Sequence, residues 1–451
     1  MNTPIHDLIL SYADGSPARF HMPGHKGRPM PGAEACDITE FDGADELYRA
    51  RGVIAESEAN ASRLFGCRTF YSAEGSSLCI RAMLYLTAMS ASAKGRGKAK
   101  ILAGRNAHKT FINTAALLDI DVEWIRPENE SSLFSCRVTP QMLEAALSAM
   151  PDVPDAVYLT SPDYLGSTID ISAISALCSR LGILLLVDCA HGAYLKFLPS
   201  SLYPVDLGAD MCCSSAHKTL PVLTGGAYLH LSPRLPDFFE RHAEEALAFF
   251  GSTSPSYLIL QSLDLANPYL ETFAHRLSAF LPRAEALKRR LRDDGWTLTG
   301  DEPMKLTVAA KPRGYTGAEL ASYMKSRGVV CEFYDPDTAV FMLSCQNSAE
   351  ELSRLENALL SAERRPPITS SPPRFKLPER AMSAREALFA PGETLPARSC
   401  LGRILGSACV SCPPAVPIVT CGEIIDENGI ECLEYYGVEE CRVVSKSSEE
   451  R

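Results

Sequence analysis

The stretch GILLLVDCAHGAY (182–194), read together with ADMCCSSAHKT (209–219), decides the fold. Each is a short, near-continuous apolar run that closes on polar residues. In the first these are Asp188 and His191, in the second Ser215, His217 and Lys218. An apolar run without alternation reads as a strand buried on both faces, as in a parallel sheet covered by helices. KAKILAG (98–104), DAVYLTSP (155–162) and GGAYLHLS (225–232) share this character. Amphipathic segments such as SSLCIRAMLYLTAMSA (76–91) and AISALCSRLG (173–182) lie between them. The expected class is α/β with a mostly parallel sheet.

Composition divides the rest of the chain. Residues 1–45 are irregular, rich in Pro, Gly and His and then acidic, and are expected to form an arm packed on something larger. Residues 46–275 form the expected large domain, and 276–365 an α+β small domain. Residues 366–378 read as a proline-rich linker and 379–451 as a small C-terminal α+β domain. The 451 residues are 46% apolar and 22% charged, which excludes extensive disorder. With 44 Lys and Arg against 55 Asp and Glu the net charge is -11, so neither nucleic acid nor an anionic membrane is an expected partner. The N-terminus MNTPIHDLILSYADG lacks the pattern of a signal peptide, and no run approaches the ~18 apolar residues of a membrane span. A cytoplasmic location is expected, with the sixteen cysteines as thiols. Cys409 and Cys412 form a C-x-x-C without a second close pair, so no metal site is expected.

Ligands of α/β sheets sit outside the carboxyl ends of the strands, so the polar residues there carry the chemistry. Asp188 closes one strand, and a buried carboxylate needs a partner. Lys218 follows the next strand, flanked by Ser215 and His217. In YSAEGSS (71–77), Gly75, Ser76 and Ser77 open a helix, where free N–H groups and hydroxyls suit a phosphate. His108 follows the strand KAKILAG. Singly, each has a plainer reading: a cap, a solvated lysine, a hydrogen-bonded histidine. Together they match pyridoxal 5'-phosphate (PLP). That cofactor needs a lysine for covalent attachment, a carboxylate on the pyridine nitrogen and a phosphate cup.

Several motifs in order resemble the Orn/Lys/Arg decarboxylases of the aspartate-aminotransferase fold. They are FHMPGHKG (20–27), residues 37–66, RNAHKT (105–110), SPDYLGSTIDI (161–171), VDCAHGAY (187–194), SSAHKTL (214–220), GSTSPSYLILQSLD (251–264) and residues 402–425. The chain resembles the short form of the family, without a receiver-like N-terminal wing. The resemblance implies a PLP-dependent, aspartate-aminotransferase-like large domain and decarboxylation of arginine, lysine or ornithine. It implies that Lys218 carries the cofactor, Asp188 pairs with the pyridine nitrogen and His108 stacks on the ring. Ser76, Ser77, Ser215 and His217 would hold the phosphate, with His191 near the phenolic oxygen. It further implies a homodimer or higher oligomer with the site at the interface, where Thr253 and Ser254 reach the neighbour's phosphate.

A cationic substrate side chain wants a carboxylate, and Glu423, Asp37, Glu40, Asp42 and Asp45 are the candidates. Cys421, Cys412, Cys189 and Asp163 depart from the family's usual residues and leave the choice of substrate open. Cys189, Cys212 and Cys213 flank the cofactor residues and suggest a site sensitive to oxidation. An aminotransferase or carbon–sulfur lyase of the same fold would share Lys218 and Asp188, and a weakly catalytic PLP-binding regulator is a third alternative.

Overall fold

A computed structural model of the protein describes residues 1–125, 136–408 and 417–446. The Cys409–Cys412 spacing lies outside them. Two compact units result: Met1–Lys94 with Ile171–Ser278, and Gly95–Asp170 with Ala279–Arg451.

In chain order the elements that frame the site begin with α1 (Pro4–Asp14), α2 (Val53–Phe65), β1 (Arg68–Ser72) and α3 (Gly75–Ala93). Next come β2 (Lys100–Gly104), α4 (Lys109–Leu117), β3 (Asp121–Ile125), α5 (Pro140–Ala149) and β4 (Ala156–Thr160). Then follow α6 (Ile171–Leu181), β5 (Leu184–Asp188), β6 (Met211–Ser214), α7 (Ala216–Thr219) and β7 (Ala227–Leu231). Within the first unit the strands neighbour one another in the order β1-β7-β6-β5, and within the second in the order β4-β2-β3. β5 runs parallel to β6, and β2 parallel to both β3 and β4; β7 alone runs against its neighbours. The sheet is therefore mostly parallel, as the unalternating apolar runs require. β6 and β7 are buried at every position.

The first unit is tied together by a buried polar cluster as well as by apolar packing. Asp264 accepts the N–H groups of Ile5 and His6 at 3.0 Å each and the Ser57 hydroxyl. Asn267 donates to the Tyr71 hydroxyl at 2.9 Å, and Tyr71 and Ser57 lie 2.9 Å apart. One cluster thus joins α1, α2, β1 and the helix Tyr257–Glu271. The hydroxyl and amide donors of Ser57, Tyr71 and Asn267 find acceptors there, while Asn267 Oδ1 accepts no hydrogen bond among the described residues.

The second unit adds a four-stranded antiparallel sheet, β8 (Thr297–Thr299), β9 (Lys305–Ala309), β10 (Phe333–Tyr334) and β11 (Thr338–Met342), in the order β10-β11-β9-β8. A hairpin pairs β12 (Gly392–Pro396) with β13 (Glu440–Val444). Leu405, Ile418, Val419, Leu433 and Val443 share one core with Phe333 and Val340. The helices Gly317–Ser326, Ala349–Leu360 and Ala384–Phe389 all begin with capping boxes, in which a Ser or Thr and a Glu satisfy each other's backbone N–H groups. The proline-rich segment has no regular structure, yet it is strapped down. Ile368 N–H donates to the Lys311 carbonyl at 3.0 Å, and the Lys311 ammonium donates to the Ser370 carbonyl at 2.8 Å.

Candidate active site

In the first unit the ends of β5 and β6 lie side by side, with Asp188 in register with Cys213. Asp188 is only 3% exposed. Its Oδ1 accepts the Ala190 N–H at 3.1 Å and the Cys213 thiol at 3.5 Å. Beyond β6 the chain enters α7, one short turn carrying His217 and Lys218. Lys218 Nζ lies 3.0 Å from His191 Nε2. His217 is anchored twice to one carbonyl: its backbone N–H and its ring Nδ1 approach Gly226 O at 3.1 and 2.9 Å. A ring nitrogen facing a carbonyl must carry its proton, which fixes that tautomer.

The Ser215 hydroxyl does not cap α7; it donates to Ser76 Oγ at 2.9 Å. Ser76 and Ser77 stand on the first turn of α3. Gly75 there takes φ +71°, a conformation that favours glycine, and a Cβ at that position would meet nothing within 4 Å. Its N–H donates to the Gly225 carbonyl at 2.7 Å. Glu74, at the N-cap of α3, makes no side-chain cap; its Oε1 instead accepts the Ser252 N–H at 2.6 Å. That bond ties the loop holding Thr253 and Ser254, both exposed, to the same helix start.

His108 belongs to the second unit, where it caps α4. Its Nδ1 accepts the Thr110 N–H at 3.2 Å, so the ring proton lies on Nε2. Three residues earlier stands Arg105, 2% exposed, its guanidinium between Trp124 and Phe375 at 4.9 and 5.5 Å. It donates to Glu423 at 2.8 Å, to the Ile418 carbonyl at 3.1 Å and to the Thr420 hydroxyl at 3.4 Å. This ion pair fastens residues 418–423 to the loop before His108.

It also removes one candidate for a cationic substrate, because Glu423 already holds a guanidinium. Asp45 is taken as well: it accepts N–H groups from Glu46, Arg51, Gly52, Ile54 and Ala55 at the start of α2. Burial pushes its carboxyl up, but those donors outweigh it and hold the group below the usual range. Asp37 pairs with His25 at 3.1 Å. Glu40, half-buried, lines a cavity of about 410 Å³ with Glu46, Tyr48 and Thr253.

The expected sensitivity to oxidation meets a physical obstacle. Cys189, Cys212 and Cys213 are all 0% exposed. Burial, reinforced by neighbouring groups, pushes the thiols of Cys212 and Cys213 well up, so they stay protonated and unreactive. Among the described residues no group of His, Cys, Asp and Glu could hold a metal ion. Nor is any described helix long and apolar enough to cross a membrane.

The sequence singles out Arg105 only as a member of a motif, Glu423 as a candidate partner of a cationic substrate, Glu74 only as a neighbour of Gly75, and Cys213 only as a thiol beside the cofactor residues. The pairing of Arg105 with Glu423, of Glu74 with Ser252 and of Cys213 with Asp188 had no local signal. These partners stand far apart in sequence.

The donor set fits PLP. A lysine follows the strand beside the one that ends in a buried carboxylate, and Ser215 bonds Ser76 on the first turn of α3, next to open space at Gly75. Fold and site together define a PLP-dependent enzyme of fold type I. Residues 3–310 match the major domain of the Orn/Lys/Arg decarboxylases. The Bacillus subtilis protein YaaO, itself named as uncharacterized, is 30% identical, covering 96% of this chain and 94% of the relative. An arginine decarboxylase of Bacillus subtilis is 29% identical over 96% of this chain and 93% of its own length. The constitutive lysine decarboxylase of E. coli superposes with a TM-score of 0.77 at 18% identity, covering 98% of this chain and 82% of that one, a likeness of fold. The chain belongs to the Orn/Lys/Arg decarboxylase family: it is a PLP-dependent amino-acid decarboxylase, and PLP is its cofactor.

Proposed function

We propose that the protein decarboxylates L-arginine to agmatine and CO2, with Lys218 and Asp188 as the central pair. One observation carries the site: the Lys218 amine, 3.0 Å from His191 Nε2, follows the strand next to the one that ends in Asp188. The choice of arginine rests on relatives matched over nearly their whole length, four of them named arginine decarboxylases.

When bound, PLP supplies a conjugated ring that accepts the electron pair left as the Cα–carboxylate bond breaks. The chain's residues prepare that step. Lys218 anchors the cofactor through Nζ. Lys218 Nζ lies 3.0 Å from His191 Nε2, so an unprotonated Nε2 accepts an N–H from the amine and orients it. Asp188, fixed through Oδ1, holds the pyridine nitrogen protonated. Ser76, Ser77, Ser215 and His217 take the phosphate at the uncapped start of α3. His108 presents a proton on Nε2 to the substrate carboxylate or to Cα.

Glu40 is the carboxylate we assign to the guanidinium. It shares its cavity with Thr253 and with the buried Tyr48 hydroxyl, which has no hydrogen-bond partner among the described residues. If the exposed Thr253 and Ser254 face a second copy's phosphate, Glu40 faces that copy's substrate, in a homodimer. A cytoplasmic location and a role in polyamine synthesis suit an agmatine product.

Mass spectrometry of products from arginine, lysine and ornithine tests the reading. Agmatine from arginine is expected. Cadaverine or putrescine alone would move the substrate, and a keto acid would overturn decarboxylation. Glu40→Gln should raise KM for arginine about tenfold or more, one charged hydrogen bond's worth, with the bound-cofactor spectrum intact. An unchanged KM removes Glu40.

A further inference from the structure

We propose that Cys213 is a positioning residue, whose thiol fixes the Asp188 carboxylate in the orientation that the pyridine nitrogen requires. The inference rests on the reading of Asp188 above and goes beyond it to a residue that never touches cofactor or substrate. Cys213 lies on β6, 0% exposed, directly opposite Asp188 in a parallel pair, so both side chains project to the same side of the sheet. Its Sγ is 3.5 Å from Asp188 Oδ1. Burial, and then the negative charge of Asp188, push the Cys213 thiol well up. A thiol that keeps its proton beside a carboxylate can only donate to it.

The Ala190 N–H reaches the same oxygen at 3.1 Å from the chain just beyond β5. Two donors from two directions hold Oδ1 in place. The character of the donors matters too. A thiol is a weak donor, so it orients Oδ1 while withdrawing little charge from it. A cation in the same place would neutralise the carboxylate that must keep the ring nitrogen protonated. Cys79, from the second turn of α3, contributes another thiol kept protonated by burial, and it too senses the Asp188 charge.

The test uses the full chain, with and without added PLP. Without PLP, the infrared difference between wild type and Cys213→Ala isolates the Cys213 S–H stretch. It should lie on the low-frequency, hydrogen-bonded side and move to the free position in Asp188→Ala. With PLP, Cys213→Ala should weaken cofactor binding about three- to tenfold, the worth of one hydrogen bond from a weak donor. It should also shift the pH dependence of the bound-cofactor absorption and lower kcat with KM unchanged. Cys213→Ser, which keeps a donor, should restore all three. A wild-type S–H band at the free position overturns the contact whatever PLP does. Equal defects in Ala and Ser variants reduce Cys213 to packing, and an unaltered Cys213→Ala overturns the role. If Asp188→Ala binds PLP with the wild-type spectrum, the reading of Asp188 fails and the role of Cys213 falls with it.

Discussion

Two buried carboxylates of this chain, Asp188 in the first unit and Glu423 in the second, sit in contrasting company. Both are 3% exposed. Glu423 receives the Arg105 guanidinium at 2.8 Å and the Thr420 N–H at 2.7 Å. Asp188 receives a backbone N–H and a thiol, both neutral donors. The pairing of Glu423 spends its charge on holding residues 418–423 in place. At Asp188 these two neutral donors orient the carboxylate without themselves neutralising it. The cation at Glu423 ties that acid to structure, whereas the neutral donors at Asp188 orient an acid at a strand end.

The largest effect that could break this contrast lies at Lys218, on the helical turn that follows the strand beside Asp188. Lys218→Ala should lower kcat/KM by about a thousandfold or more and abolish the near-visible absorption of covalently held cofactor, because the anchoring amine is gone. Retention of both would remove the first unit's claim to the chemistry. Next come the two acids, exchanged for neutral residues in parallel. Asp188→Ala should keep some PLP while losing roughly a hundred- to a thousandfold in turnover, the scale of a lost electrostatic contribution. Glu423→Gln should do the reverse. It strands the buried Arg105 and lowers stability by about 3–5 kcal/mol, with the bound-cofactor spectrum unaltered. Replacing both partners by apolar residues, Arg105→Met with Glu423→Leu, should recover most of that loss. Denaturation midpoints and spectra read the pair of outcomes. An Asp188 variant that merely unfolds, or a Glu423 variant with a changed spectrum, would erase the distinction.

The contrast also marks where the sequence stops being legible. β2 and β4 to β7 stand out because each is a near-continuous apolar run. β1 and β3 do not, for a reason that differs between them. β3, DVEWI, is an edge strand whose first four residues are only half-buried, so its acids break the apolar pattern. β1, RTFYS, buries Thr69 and Ser72, polar residues whose partners, such as His230 at 3.0 Å from the Thr69 hydroxyl, come from distant chain. The groups at strand ends are legible for the same local reason: a polar residue that closes an apolar run has few other places to be. The match of Arg105 with Glu423 spans 318 residues and that of Cys213 with Asp188 spans 25, and no local pattern encodes either. The carboxylates of the arm show the converse. They look alike in sequence, yet Asp45 is a helix cap and Asp37 a histidine partner.

A third buried acid sharpens the comparison with the smallest effect. Glu58, on α2, accepts the Tyr71 N–H at 2.8 Å on Oε1, and Oε2 has no hydrogen bond among the described residues. Arg68 approaches only to 3.9 Å. Here neither a close cation nor a full set of donors offsets burial, which raises the carboxyl from 4.5 to about 8. The sign of the consequence is fixed by linkage. Between these values the folded chain keeps a proton that the unfolded chain has released. The stabilising contribution is full below pH 4.5 and drains away as pH rises through 8. Within that window stability should fall by roughly 1 kcal/mol per pH unit from this group. Glu58→Gln keeps the shape and the donors' acceptor but cannot titrate, so its urea midpoint should decline less steeply than wild type from pH 6 to 8. Parallel curves would show that Glu58 ionises freely in the fold, and an acid without a matched cation would then need no special handling here.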